Sequence, residues 1–297
     1  MCTCALAVYI DSPLLDSYLC NASGTGKTRI LFELLSQNWG IYLTCYFDNV
    51  SDPYGSSDVD HALYVLQREG INGRYLEDVI FSGPGSSHAL TELEANRSSA
   101  AIALRWVMLA RLIGLDHFVS LVDKLGISDL DARRKWLLVQ LRPGDILYGD
   151  LFEQLVRHVS KLPSDDIAKR ISTLYKKHHS KIAFVALDEA QVALNMSPRA
   201  FAFSDDQRHA SLLRELIISI GNHFPRARIV ASGTQLDMDQ VEDALQSSRA
   251  DCKHLRHFHS LGFFQTEARI KRYMAHFLGP SISQEHVTLA RKWFRGR

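Results

Sequence analysis

The sequence predicts an α/β fold in three layers, with a mainly parallel central sheet and a large helical insert. Three observations predict it. Residues 21–28, Asn-Ala-Ser-Gly-Thr-Gly-Lys-Thr, make a glycine-rich turn that opens a helix. The run Ile182 to Leu187 is apolar without a break and ends in Asp188-Glu189. A shorter run, Arg228 to Ala231, ends in Ser232-Gly233-Thr234. Strands that read as continuous apolar runs are buried on both faces, which is the habit of parallel sheets covered by helices.

Taken in order, Tyr18-Leu19-Cys20 is the only plausible first strand before the turn, and it is short. Ile30, Leu31, Leu34 and Leu35 then recur at helical spacing from Lys27 to about Asn38, with Gly40 as the stop. Ile41 to Phe47 is a β-rich run closed by Asp-Asn and Asp-Pro-Tyr-Gly turn chemistry. From 58 to 180 helical patterns dominate: His61 to Glu69, Asn96 to Ile113, His117 to Leu125, Asp131 to Leu141, Asp150 to Leu162 and Asp165 to Lys177. At most one short strand is expected in this stretch, near Asp78 to Phe81 or Trp136 to Leu141. After Asp188-Glu189 come a helix over Asp206 to Asn222, the strand at Arg228 and a last strand within His254 to Phe264. The expected division is a core over 1–265, with 58–180 inserted in it, and a helical segment over 266–297 that begins a lid or a following domain. With so little chain before the turn and a close at Arg297, the expectation is a fragment or truncated product.

Composition narrows the function classes. The chain has 297 residues, 46% hydrophobic and 23% charged, enough for one large α/β domain with a small appendage. A net charge of +1 creates no global field toward nucleic acid or an acidic membrane. Five cysteines, at 2, 4, 20, 45 and 252, are an odd number without framework spacing, which argues for free thiols in a reducing compartment. Cys2 and Cys4 lack a second ligand pair, and His254 and His257 point to opposite faces of a strand, so neither group reads as a metal site. Met1 to Ile10 has no basic flank, and Ala100 to Val122 is interrupted by Arg105, Arg111 and Asp116. The expectation is a soluble intracellular protein, cytoplasmic or nuclear, with no membrane partner.

The glycine-rich turn has the chemistry of a phosphate cradle. Backbone N–H groups from Ser23, Gly24, Thr25 and Gly26 through Lys27 and Thr28 to Arg29 would surround the phosphates of a nucleotide. Lys27 would reach the β and γ oxygens, and the Thr28 hydroxyl would ligate Mg²⁺. Asn21 stands where the pattern wants Gly, at a position with positive φ that Asn visits more cheaply than most residues. A glycine-rich surface turn is the plain alternative.

The two carboxylates stand at the C-terminal end of a parallel strand, where ligands bind in open α/β sheets. Asp188 would hold Mg²⁺ through water opposite Thr28, and Glu189 would orient and deprotonate the attacking water. At the next strand tip, Thr234 or Ser232 would sit beside the γ-phosphate. These are the parts of a P-loop NTPase, and the acidic pair with a polar strand tip favours its additional-strand, catalytic-glutamate branch.

A narrower resemblance rests on Ser23-Gly24-Thr25-Gly26-Lys27-Thr28-Arg29, Trp39-Gly40-Ile41-Tyr42, Lys135-Trp136-Leu137-Leu138-Val139-Gln140-Leu141, Leu187-Asp188-Glu189-Ala190-Gln191 and Ala231-Ser232-Gly233-Thr234. These words resemble the P-loop NTPase region of fungal crinkler-like and retrotransposon-hot-spot-like proteins, which are similar to STAND and AAA+ ATPases. The terminal Trp293-Phe294-Arg295-Gly296-Arg297 also looks like a segment those proteins carry before further sequence. The resemblance implies ATP binding and hydrolysis used as a conformational switch; no arginine finger can be assigned from the sequence.

Two other readings share the core. One is an ATP-dependent nucleic-acid helper, which needs a basic groove that the net charge does not favour. The other is a degenerate nucleotide-binding module that does not hydrolyse and whose helical insert binds a protein partner. Homo-oligomerisation is compatible with all three.

Overall fold

The computed structural model describes residues 17–20, 27–46, 54–71, 76, 87–146, 148–196, 200–202, 209–234, 241, 256–258, 267–278 and 282–294. Strand β1 (Ser17–Cys20) precedes helix α1 (Lys27–Gln37), and β2 (Gly40–Thr44) follows it. The insert carries α2 (Asp58–Tyr64), which runs into a π-helical turn at Val65–Glu69. It continues with α3 (Ser87–Leu125), α4 (Asp129–Leu141), α5 (Leu151–Val159) and α6 (Ser164–His178). The chain then returns to β3 (Phe184–Asp188) and α7 (Ala190–Asn195). A small antiparallel pair follows, β4 (Phe201–Ala202) with β5 (His209–Ala210), before α8 (Leu212–His223) and β6 (Arg228–Gly233). Strand β7 (Arg256–Phe258) and helices α9 (Glu267–Leu278) and α10 (Gln284–Phe294) end the described chain.

The fold is α/β. The main sheet has the order β2-β3-β6-β1-β7, and every neighbouring pair in it is parallel. The chain leaves β1, passes to the far edge at β2, and works back through β3 and β6. Strand β6 therefore lies between β1 and β3.

Side chains alternate across this sheet as a period of two requires. Tyr42, Phe184, Ala186 and Val230 face α1, where Leu31, Leu34 and Leu35 cover them. Ile41, Leu43, Val185, Leu187, Ile229 and Ala231 face the other way, into a core built with α2, α3, α5, α6 and α8. With both faces covered, the strands read as the unbroken apolar runs seen in the sequence.

Helix α4 closes the free edge of β2. Trp136 donates its indole N–H to the carbonyl of Gly40 at 2.8 Å. The fully buried Gln140 accepts from the Tyr42 N–H through Oε1 at 2.9 Å and donates to the same Gly40 carbonyl at 3.3 Å. One side-chain amide thus stands in for the neighbouring strand that an edge lacks. Trp136 to Leu141 thus belongs to the helix expected over Asp131 to Leu141 and not to the short strand also considered there, and Asp78 to Phe81 lies outside the described residues. Gly40 is dictated by closeness, because a Cβ there would lie 2.7 Å from the carbonyl oxygen of Phe184.

The two helices expected over Asn96 to Ile113 and His117 to Leu125 are one, α3, running unbroken through Gly114. That glycine is a packing device, since its Cβ would lie 2.7 Å from the Phe152 ring of α5. By length and composition α3 is apolar enough to cross a membrane despite its charges, so interruption by charge is not what decides. In the most apolar window, 72% is buried inside the protein, and Arg111 within it is fully buried. Its guanidinium clasps Asp58 through bonds of 2.6 and 2.8 Å and lies 4.0 Å over the Phe152 ring. Asp150 caps α5 and holds Ser56 and Ser57 as well, fastening the segment after β2 to the insert.

Other boundaries shift modestly. Helix α8 begins at Leu212, capped by Ser211, because His209–Ala210 is committed to the β4 pairing; the expected start at Asp206 lies outside the described residues. Of the expected His254 to Phe264 strand, Arg256–Phe258 is described as strand. Helices α9 and α10 pack on each other through Ile270, Ile282, Val287 and Ala290.

Candidate functional site

In a parallel sheet every strand delivers its C-terminal end to the same rim, and in open α/β sheets that rim is where ligands bind. Here the rim gathers the ends of β2, β3 and β6 with the start of α1.

Asp188 ends β3 and is 3% exposed. Its carboxylate accepts from the Thr28 side chain in the first turn of α1 and from the Tyr42 hydroxyl at 3.0 Å on Oδ2. The N–H of Glu189 donates to Oδ1 at 3.1 Å. Burial pushes the Asp188 carboxyl above the usual carboxylate range; the hydrogen bonds from Thr28 and Tyr42 oppose that rise, and the neighbouring Glu189 adds to it. A cation at this carboxylate would offset the cost of burial. The sequence-predicted partners Thr28 and Asp188, 160 positions apart in the chain, are in direct contact. Both are hard oxygen donors of the kind that Mg²⁺ takes.

Lys27 is the first residue of α1 and is 7% exposed, so its ammonium stem is held inside the rim. Arg29 lies one residue beyond Thr28, and its guanidinium pairs with Glu33 at 2.9 Å on the exposed side of α1. The remaining cradle residues, Ser23, Gly24, Thr25 and Gly26, and Asn21 before them, lie outside the described residues.

Glu189 is held in the left-handed region, φ 51° and ψ 38°, the sole non-glycine with positive φ among the described residues. Such a conformation costs about 1–2 kcal/mol for an L-residue, and strain of this kind gathers at working sites. The turn lets α7 begin directly after the strand. It also brings Gln191 back onto Glu189: the Gln191 amide N–H₂ donates to Glu189 Oε2. The other end of that amide, Oε1, accepts from the Thr234 N–H at 3.1 Å. The carboxylate of Glu189 and the tip of β6 are therefore joined through one side chain.

Ser232 is fully buried, and its hydroxyl has no hydrogen-bond partner. It shares the α1-facing side of β6 with Val230 and, by register, lies level with Asp188 on β3. An unsatisfied buried hydroxyl beside the carboxylate marks a place where a polar ligand gains a bond at little cost. Of the two strand-tip candidates, Thr234 offers its backbone to Gln191 and Ser232 offers an unused hydroxyl.

Two residues at this rim were missed in the sequence reading. Tyr42 stands in the quoted Trp39-Gly40-Ile41-Tyr42 run, and Gln191 closes the quoted Asp188-Glu189-Ala190-Gln191 run, but neither received a role. For Tyr42 a signal existed, since a polar-tipped aromatic in the middle of a buried strand needs a partner for its hydroxyl. Cys45, just past β2, donates its backbone N–H to the Asp188 carbonyl at 2.9 Å, and burial pushes its thiol up to about 12. It is an inert packing residue. Among the described residues, no group of three or more His, Cys, Asp or Glu side chains is placed to hold a metal.

Comparison of the chain with protein-family models, with curated proteins and with solved structures found no match in any of the three.

Proposed function

We propose that this chain is an ATP-binding and hydrolysing P-loop NTPase module that acts as a conformational switch. The observation that carries the reading is the contact between the Thr28 side chain and the Asp188 carboxylate at the sheet rim. The strand order supports it, because β6 lies between the strand before the glycine-rich turn and the strand that bears the carboxylates. That is the order expected of the additional-strand, catalytic-glutamate branch of these proteins.

In this reading Lys27 neutralises the β and γ oxygens, and Thr28 and Asp188 are the protein groups that hold Mg²⁺. The ion, when bound, draws charge from the phosphate oxygens and fixes their geometry. Glu189 orients a water and takes its proton, and Ser232 or Thr234 senses the γ-phosphate. The Glu189 turn gives that carboxylate a fixed origin on the strand end. A nucleotide bound at the rim touches β3, β6 and α1 at once, which is how its hydrolysis would be felt by the elements packed on them.

The test is a thermal-shift and turnover series with Mg-ATP on the wild type, Lys27→Ala and Glu189→Gln. A ligand bound only by the native state stabilises it by about 2.7 kcal/mol at a hundredfold excess over Kd. Wild type and Glu189→Gln should show such a shift, Lys27→Ala should not, and only the wild type should release phosphate. Equal shifts in wild type and Lys27→Ala would sink the reading.

A further inference from the structure

We infer that Gln191 is a positioning residue that couples the strand tip at Thr234 to the carboxylate of Glu189. The inference rests on the ATP-hydrolysis reading above and assigns a role to a residue which that reading leaves unused.

The chemistry of the amide settles its orientation. A backbone N–H can only donate, so the atom of Gln191 facing Thr234 must be the carbonyl oxygen. The N–H₂ group is then compelled to face Glu189, where it donates to Oε2. Neither end can be reversed without losing both bonds. Glu189 is only two residues away, and its left-handed backbone is what folds α7 back so that the side chains of 189 and 191 meet.

The consequence is mechanical. One oxygen of Glu189 is occupied by Gln191, which leaves the other to face a water. Any displacement of Thr234, such as contact of the β6 tip with a phosphoryl group, passes through a single rigid amide to the carboxylate. Strand β6 pairs with β3 over Arg228 to Ala231 and with β1 over Val230 to Gly233, and Thr234 lies one residue beyond that pairing.

The test uses the full chain with two variants, Gln191→Leu and Gln191→Glu, after Mg-ATP binding and turnover have been measured on the wild type. Gln191→Leu removes both bonds at similar volume. A well-placed general base contributes about 10²–10⁴-fold, so loss of its orientation should lower kcat about tenfold or more while Kd for Mg-ATP stays within about twofold. Gln191→Glu keeps an acceptor for the Thr234 N–H but sets a second carboxyl against Glu189. That variant keeps the bond to Thr234 and loses the donor to Glu189, so kcat should again fall about tenfold or more while Kd for Mg-ATP stays within about twofold. A fall in kcat with Kd held separates a donor to Glu189 from a residue that merely packs.

Wild-type kcat in Gln191→Leu or in Gln191→Glu would overturn the inference while leaving the ATP reading intact. A wild type that neither binds nor hydrolyses Mg-ATP would overturn both. Should Gln191→Leu fail to fold, the kcat and Kd of Gln191→Glu decide.

Discussion

Tyr42 donates its phenolic hydroxyl to Oδ2 of Asp188 at 3.0 Å, across two adjacent parallel strands. Both residues lie on the α1 side of the sheet, and the Tyr42 ring meets Phe32 edge-on at 5.5 Å. Burial and the nearby acid push the tyrosine hydroxyl well above its ordinary range, so it acts only as a donor. The carboxylate at the centre of the site is thus aimed from behind by the neighbouring strand β2.

We predict that Tyr42→Phe destabilises the protein by about 1–3 kcal/mol, the usual cost of removing a donor from a buried charged acceptor. The ring contacts remain, so packing loss is small. A urea melt with unchanged slope and a lower midpoint is the expected result. An unchanged midpoint would mean the carboxylate draws nothing from this bond.

The Arg111–Asp58 pair ties α3 to the start of α2 within the insert, and both side chains are fully buried. Arg111→Met alone leaves a buried carboxylate without its cation and should cost about 3–5 kcal/mol. Adding Asp58→Asn in the same chain removes the stranded charge and should restore a good part of that loss. The check is a double-mutant cycle in denaturant. Simple additivity of the two changes would show that the charges do not interact as the bidentate geometry implies.

His223, in the last turn of α8, has its pKa lowered to about 4, first by burial and then by the Arg105 guanidinium. The folded state therefore refuses a proton that the unfolded chain accepts below about pH 6.5. The stability that goes with this is present above pH about 6.5 and is lost as the pH falls toward 4. His223→Gln should flatten the melting temperature across that window, and an undiminished slope in the variant would assign the acid sensitivity elsewhere.

Much of this architecture was legible because the sheet is parallel. The run from Ile182 to Leu187 reads as a strand with both faces covered, and β3 takes up its Phe184 to Leu187 part before closing on Asp188. What escaped were features set by tertiary contact. The helix over Asp131 to Leu141 was expected, but not that its Trp136 and Gln140 serve the edge of β2. Gly114 looked like a break between two helices, whereas it makes room for Phe152. Nothing in the order of residues reveals that Glu189 turns left-handed, and without that turn Gln191 has no reason to meet it. The β4–β5 strands are two residues each, too short for an alternating pattern to register in the sequence.

The amide of Gln140 has a bearing on how this protein meets its own copies. A parallel sheet ending in an open strand is a template on which another chain can lay a strand, and many aggregates begin so. At β2 the hydrogen-bonding positions of Gly40 and Tyr42 are already engaged from within. Assembly by strand addition is shut at that side, and any association there must proceed through helix surfaces. A polar side chain on the buried face of α4 is thereby a guard against strand addition, and its loss would show first as clumping and only later as unfolding.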